Sequence, residues 1–338
     1  MISNSINDPI DIVYLWCDGN DPSFLREKNL ALKHWGCPSS DSETGRMRYE
    51  DNDELKYSLR SVFTYLPWIN HIFIISNKQT PSWLQENPQI SIIDHSDIIP
   101  NELLPTFNSI TIEMYIDQIP NLSEKFLLFN DDMFVNAHLP ETFFFNKDKP
   151  IVRLVRDYNK WQFSSFKEAQ QALSNNNISV HRKTMINSWL LYCSNHKKIE
   201  PFYILTHTID AFTKTTFKQV LNIYPELKLF NRTPFRTSNN IQRILFQLEM
   251  QKSLGCELKI EKKLPFLAKK LPKFYKNKIN CFEGTECEKT WCRIKNLNPK
   301  MFCLNSARDA SPETKIASKN LLNELFPTPS IFEKLSNK

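Results

Sequence analysis

Lys125-Phe126-Leu127-Leu128-Phe129-Asn130-Asp131-Asp132 (KFLLFNDD) is a short apolar run closed by an amide and two adjacent acids. At this length, and with aromatic side chains in it, the run reads as a buried strand. Neighbouring carboxylates repel, so the pair calls for a cation or an arginine between them, unless one caps the next helix and the other is solvated. Working outward, the same form recurs in Asp11–Trp16 (DIVYLW), His71–Ser76 (HIFIIS) and Ile90–Ile93. Helical patterns lie between, the clearest over Asn52–Leu66, where Leu55, Leu59, Val62, Phe63 and Leu66 share one face behind an acidic start at Asp51 and Asn52. Strand alternating with helix predicts an α/β fold, Rossmann-like, with a mostly parallel sheet and helices on both faces.

In such a sheet ligands bind beyond the carboxyl ends of the strands. The residues that follow the four runs are Asp18 and Asp21, Asn77 and Lys78, Asp94 and His95, and Asn130 to Asp132. The edge is therefore acidic. The chain has five glycines, none spaced as G-x-G-x-x-G or G-x-x-x-x-G-K, so no glycine loop can bring backbone amides against a phosphate. G-x-S-x-G and H-E-x-x-H are absent as well. An acidic edge without a phosphate loop fits a divalent ion, Mg²⁺ or Mn²⁺, held by Asp131 and Asp132 against a diphosphate.

Three further segments bear on the site. In Trp16-Cys17-Asp18-Gly19-Asn20-Asp21-Pro22, Gly19 permits a sharp turn and Trp16 offers a ring; Asp18 either meets a ligand or makes an ordinary Asp-Gly turn. Arg48 to Glu54 opens the long helix, whose amino end could hold an anion with Arg48 and Arg60, or whose acids simply cap it. His207 follows the strand-like Phe202–Leu205 between two threonines, as a proton acceptor or as a structural hydrogen-bonder.

The remaining features bound the organisation. With 338 residues, 41% hydrophobic and 24% charged, the chain can bury a large core without disulfides. Its net charge of +6 is regional: between Cys256 and Lys300 twelve Lys or Arg face five Asp or Glu. Lys262, Lys263, Lys269, Lys270, Lys273, Lys276 and Lys278 alternate with apolar residues there, as suits an anionic membrane surface, a polyanionic acceptor, or a plain solvated face. Nothing calls for nucleic acid. Eight cysteines include no C-x-x-C pair; the four from Cys281 to Cys303 are either a zinc knuckle or free thiols in a reducing compartment. No apolar run would span a bilayer and no signal peptide is read, so a cytoplasmic protein is expected. Residues 157–199, rich in Asn, Gln, Lys and Ser, read as an inserted or lid segment between core parts 1–156 and 200–310, with the basic segment at 256–300. A helix is expected from Ser238 or Asn239 to Ser253, with Ile241, Leu245 and Leu248 inward. The closing segment, 311–338, carries an amphipathic helix capped by Ser311, with Ile316, Leu322, Leu325 and Phe326 on its apolar side.

DIVYLWCDGNDP, then RYEDNDELKYSLRSVFTYLPWINHIFIISNKQTPSWL, LPTFNSITIE and FLLFNDDMFV resemble the first two conserved regions of the Stealth proteins. These are bacterial capsule polymerases and hexose-1-phosphate transferases related to the lysosomal-enzyme GlcNAc-1-phosphotransferase. Thr206-His207-Thr208 with Phe235-Arg236-Thr237 resembles the third region, and Met301-Phe302-Cys303-Leu304-Asn305 the fourth. The chain departs from the family in having Asn239 and Asn240 after Arg236, and Ser306 and Ala307 after Asn305, where the family has acids.

The resemblance implies a GT-A-like core and transfer of a sugar 1-phosphate from a UDP-sugar, UDP-GlcNAc first, to a glycan or lipid-linked glycan hydroxyl. UMP would leave and a phosphodiester form. Carried over residue by residue, it points to Asp18, Asp21, Arg48, Asp51, Asp53, Asn108, Glu113, Asn130 to Asp132, His207 and Arg236; with the loop readings above, His207, Arg236, Asp51 and Asp53 are expected to be catalytic and Trp16, Asp18, Gly19, Asp21, Arg48, Asn77, Asn108 and Glu113 donor-binding. A metal-dependent glycosyltransferase releasing UDP, and a non-catalytic binder of anionic glycan or of the inner membrane, remain open beside it.

Overall fold

The strand β1 (Ile10–Leu15) is buried along its whole length, as befits the middle of a sheet covered on both faces. In the computed structural model, which describes residues 8–36, 44–156, 162–261, 272–306 and 310–334, it pairs in parallel with β2 (Ile72–Ser76) on one side and β4 (Lys125–Asn130) on the other. β3 (Ile90–Asp94) adds in parallel beyond β2, and β10 (Asp210–Thr213) closes the far edge antiparallel to β4, giving the order β10-β4-β1-β2-β3. The expected α/β architecture with a mostly parallel sheet is what the chain adopts. The strands were readable because parallel strands buried on both faces are nearly continuous apolar runs.

Alternation along β1 divides the core. Ile10, Ile12, Tyr14 and Trp16 point into one apolar cluster and Val13 and Leu15 into another; on β4, Leu127 and Phe129 separate likewise from Phe126 and Leu128. The first cluster is roofed by Leu55, Leu59 and Val62 of α2 (Glu54–Tyr65), which follows α1 (Pro22–Trp35). Phe63, expected inward, is 42% exposed and lies edge-on to Phe332.

Two small sheets flank the large one. β5 (Met133–Val135) turns back from β4 and pairs antiparallel with β13 (Met301–Asn305), itself parallel to β12 (Cys281–Thr285). After the hairpin β6 (Phe145–Asn146) and β7 (Lys149–Pro150), β8 (Val152–Arg156) lies between β11 (Leu258–Glu261) and β9 (Tyr203–Leu205).

Helix α3 (Ser109–Glu113) precedes β4. In the segment read as an insertion, Ser165 caps α4 (Phe166–Leu173) and Ser179 caps α5 (Val180–Asn195), with Asn175 turning the chain between them. Ile186 and Trp189 of α5 lie in the same core cluster as β1. Then come α6 (Lys214–Ile223), α7 (Leu227–Phe230), α8 (Ile244–Lys252), α9 (Glu288–Leu297) and α10 (Pro312–Leu325).

Two helix readings are corrected. α8 begins at Ile244 rather than near Ser238, because side chains hold the preceding stretch as a loop: Asn240 Oδ1 accepts from the Thr237 amide, and Asn231 brackets Ile241 with two bonds. Ser311 caps α10 as expected and Leu322 and Phe326 are buried, but Ile316 is 60% exposed. The basic residues Lys262 to Lys270 lie outside the described residues.

Candidate active site

The chain runs β1 to β2 to β3 on one side of β1 and returns to β4 on the other, so the strand order reverses between β1 and β4. At such a switch point the loops beyond the strand ends diverge and leave a crevice. Leu15 and Asn130 are in register there, which sets Trp16–Asp21 beside Asp131 and Asp132.

The first loop is tightly specified. The Gly19 amide donates to the Tyr49 carbonyl at 2.5 Å, and a Cβ on Gly19 would stand 2.3 Å from that oxygen, so only glycine fits. Gln79 grips the Asp18 backbone from both sides (3.0 and 2.9 Å), and Asp18 Oδ1 accepts from the Asn20 amide at 2.8 Å. Tyr49 in turn packs with Phe24 and Phe107, and Phe107 stacks on Phe235 at 5.3 Å. The residues around Phe235 and Arg236 are thereby fastened to this end of the sheet.

The floor is acidic. Burial and the fields of Asp132, Glu54 and Asp51 push the Asp131 carboxyl well above the usual carboxylate range. Burial raises Asp132 too, and its Oδ1 is buried with no hydrogen-bond partner. Asp51 is pushed up to about 6 by burial and by Asp53, and Glu54 to about 7, chiefly by burial. Four carboxylates thus share a place that favours added positive charge.

The opposite wall is basic. Arg236 Nη2 donates to Ser109 Oγ at 2.7 Å, its Nε is buried without a partner, and burial with the charge of Arg48 lowers its pKa to about 9. Two guanidiniums that repel each other suit an anion between them. His207 feels Asp132 of the floor, and the buried His181 feels His207 together with Arg236 and Arg48 of the wall. His207 has a positive φ of 52°, and its Nδ1 meets Glu283 Oε1 at 2.7 Å. Burial opposes its charge, but the bond to Glu283 and the fields of Glu283 and Asp132 outweigh that and raise its pKa. Asn305 Nδ2 donates to the same Glu283 oxygen at 3.1 Å. Glu283 is kept below its usual range: burial opposes, but its bond to His207 prevails.

The structure therefore brings together Trp16, Asp18, Gly19, Arg48, Asp51, Asp131, Asp132, His207 and Arg236. Other expected residues do different work. Asp21 caps α1, accepting from the Phe24 amide at 2.8 Å; Asn77 donates to Glu27; and Asp53 pairs with Lys319 of α10. Asn108, 1% exposed, caps α3 and ties it to Asn240 and Thr233. Glu113 is a buried partner of Arg243, which also binds Asp210 at 2.8 Å. Sequence reading missed Glu283, Asp210 and Arg243, and took Glu54 only as part of the acidic helix start. Arg243 and Asp210 carry a trace, since both stand close to the quoted third-region residues; Glu283, inside a strand read only for its charge, carries none. Cys281 and Cys303 lie in neighbouring strands, Cys287 and Cys292 are exposed, and all four are free.

Comparison with known proteins follows this geometry. The family model described as Stealth protein CR2, conserved region 2, matches residues 48–152, from Arg48 through α2, β4 and the acidic pair to the start of β8. Capsular polysaccharide phosphotransferase LcbA of Aeromonas hydrophila is 33% identical over 248 residues, which cover 72% of this chain and 65% of that protein. Exopolysaccharide phosphotransferase cps2G of Lactiplantibacillus plantarum is 27% identical, with 96% of each chain covered. The chain spans less than two thirds of the length of the first two curated relatives it matches. The solved galactosyltransferase LgtC aligns over 95% of this chain and 98% of its own, at 10% identity and a TM-score of 0.40.

Proposed function

The chain belongs to the Stealth proteins, whose second conserved region it carries over residues 48–152, and we propose that it transfers a hexose- or hexosamine-1-phosphate from a UDP-sugar, UDP-GlcNAc first, to a hydroxyl of a bacterial surface glycan. The observation that carries this reading is His207, bonded to Glu283 and in the field of Asp132, while the buried His181 feels His207, Arg236 and Arg48 together.

An ionised carboxylate only accepts, so His207 Nδ1 carries the proton given to Glu283 and Nε2 keeps the lone pair. The acceptor hydroxyl loses its proton to Nε2 as its oxygen attacks the sugar-linked phosphorus. The bond from that phosphorus to the bridging oxygen breaks and UMP leaves. The bond from the sugar's anomeric carbon to oxygen is untouched, so the anomeric configuration persists. Arg236 and Arg48 hold the phosphate oxygens, and positioning with charge neutralisation supplies most of the rate, as in phosphoryl transfer generally.

Asp131 and Asp132 fit a hard divalent cation, Mg²⁺ or Mn²⁺, because an orphaned buried oxygen and mutually repelling carboxylates are what such an ion relieves. When bound it neutralises the diphosphate and the leaving UMP. Among the described residues no three His, Cys, Asp or Glu side chains already form a metal-holding group, so Asp131 and Asp132 would hold the ion together with the substrate. No helix among the described residues is long and apolar enough to cross a membrane. The basic segment supports a cytoplasmic enzyme in peripheral contact with the inner membrane, where a lipid-linked acceptor would lie. Phosphorus NMR of a screen of UDP-sugars with acceptor glycan tests the reading: a phosphodiester resonance is expected, and a product without one opposes it.

A further inference from the structure

Helix α5 joins two places. Its first turn carries Arg182, whose field acts on Glu283 in the site, and one and a half turns on it carries Asn187 and then Ser194. At 1.5 Å per residue Asn187 lies about 7 Å along the axis from Arg182, and Ser194 about 18 Å. The loop after Arg236 follows the same course: the Ser238 carbonyl accepts from Asn187 Nδ2 at 2.6 Å, and the Gln242 amide donates to Ser188 Oγ at 2.8 Å. Between α4, α5, α7 and this loop lies an open cleft of about 370 Å³.

Its lining is chemically distinctive. Phe166 and Phe230 present rings, Phe230 being 43% exposed. Gln170, Asn187 and Asn239 present amides and Ser194 a hydroxyl beside the aliphatic Leu190, Leu191 and Ile241, and among the described residues no charged side chain lines it. Gln170 and Asn239 are exposed, with side chains that bond to no other described residue. Rings that take the C–H face of a sugar, bordered by amides that both donate and accept, form a surface for neutral hydroxyls. An anionic ligand would find no countercharge, and a wholly apolar one would strand the amides.

We propose that this cleft is a subsite for neutral sugar residues of the acceptor chain, remote from the hydroxyl that reacts. The proposal rests on the transfer reading above for the identity of its ligand as an acceptor. Asn239 is three residues from Arg236, a span of at most about 10 Å of chain, so a glycan seated in the cleft extends toward the phosphate-holding arginines. Asn240 is buried and holds the loop, whereas Asn239 faces the cleft and sets an amide at its rim.

The test is direct binding. Neutral linear tetrasaccharides of glucose, galactose and N-acetylglucosamine are titrated one at a time by calorimetry into the parent and into Gln170→Ala/Asn239→Ala, with UDP plus Mg²⁺ as control and thermal unfolding to show that both fold. At least one tetrasaccharide should bind the parent, its Kd rising about tenfold or more in the variant, as expected for two lost hydrogen bonds, with UDP affinity unchanged. Phe230→Ala should weaken it as well. Failure of all three to bind the parent, or equal binding by the variants, overturns the proposal. Variant-sensitive binding in a protein that releases no UMP would instead sink the transfer reading and leave the cleft a glycan site.

Discussion

Glu283 does for His207 what a lone histidine cannot do for itself. It fixes the tautomer, so that Nε2 carries the lone pair, and it raises the pKa above the ordinary 6.5 against the opposing effect of burial. In the proposed reaction the base works neutral, so the acid limb of kcat/KM should lie above pH 6.5. Glu283→Gln removes the group that raises the pKa and leaves burial, so that limb should move to lower pH while kcat falls. His207→Ala should lower kcat roughly 10²-fold or more without unfolding the protein. A pH–rate profile on both variants checks this; an unmoved limb in Glu283→Gln would assign the ionisation elsewhere. His207 was legible from the sequence because it follows a strand and falls in a quoted motif. Glu283 was not, because its role comes from β12 lying beside β13 and not from any local pattern.

At the scale of elements, the turn between β4 and β5 gathers carboxylates that the fold would shed were stability its only end. Glu54 and Asp51 have folded pKa values raised to about 7 and about 6, so the folded state holds more protons than the unfolded one between roughly pH 4 and 7. Their contribution to stability therefore falls as pH rises through that window. In metal-free protein Glu54→Gln and Asp131→Asn should unfold at higher temperature than the parent at pH 8, with the gap closing toward pH 4. Asp131→Asn and Asp132→Asn should lose most turnover, and the thermal stabilisation that Mg²⁺ with UDP gives the parent. Differential scanning with and without EDTA measures both; a variant less stable than the metal-free parent at pH 8 would contradict the electrostatic account. The four parallel strands were legible as apolar runs, and the switch point follows from their pairing. The late start of α8 was not, because the bonds of Asn231 and Asn240 that hold the loop join residues distant or hidden in the sequence.

Over the whole molecule, the far end of the chain returns to the helix that roofs the sheet. Arg60 of α2 makes a buried two-pronged pair with Glu333 (2.8 and 2.7 Å), and Phe332 joins the core cluster behind α2. Arg60 was read as an anion holder beside Arg48; it is a structural clasp instead. Arg60→Ala should destabilise by about 3 kcal/mol, since it leaves the buried Glu333 carboxylate only Lys56 at 3.7 Å and the Ser330 amide and hydroxyl, and denaturant titration measures it. This clasp joins residues 273 positions apart, and no window of residues announces it. The central claim, attack at phosphorus by a hydroxyl that His207 deprotonates, is tested most directly by separating the nucleotides after reaction with a UDP-sugar and acceptor glycan. The account predicts UMP in equal amount to sugar transferred, lost in His207→Ala; stoichiometric UDP would contradict it and place the attack at the anomeric carbon.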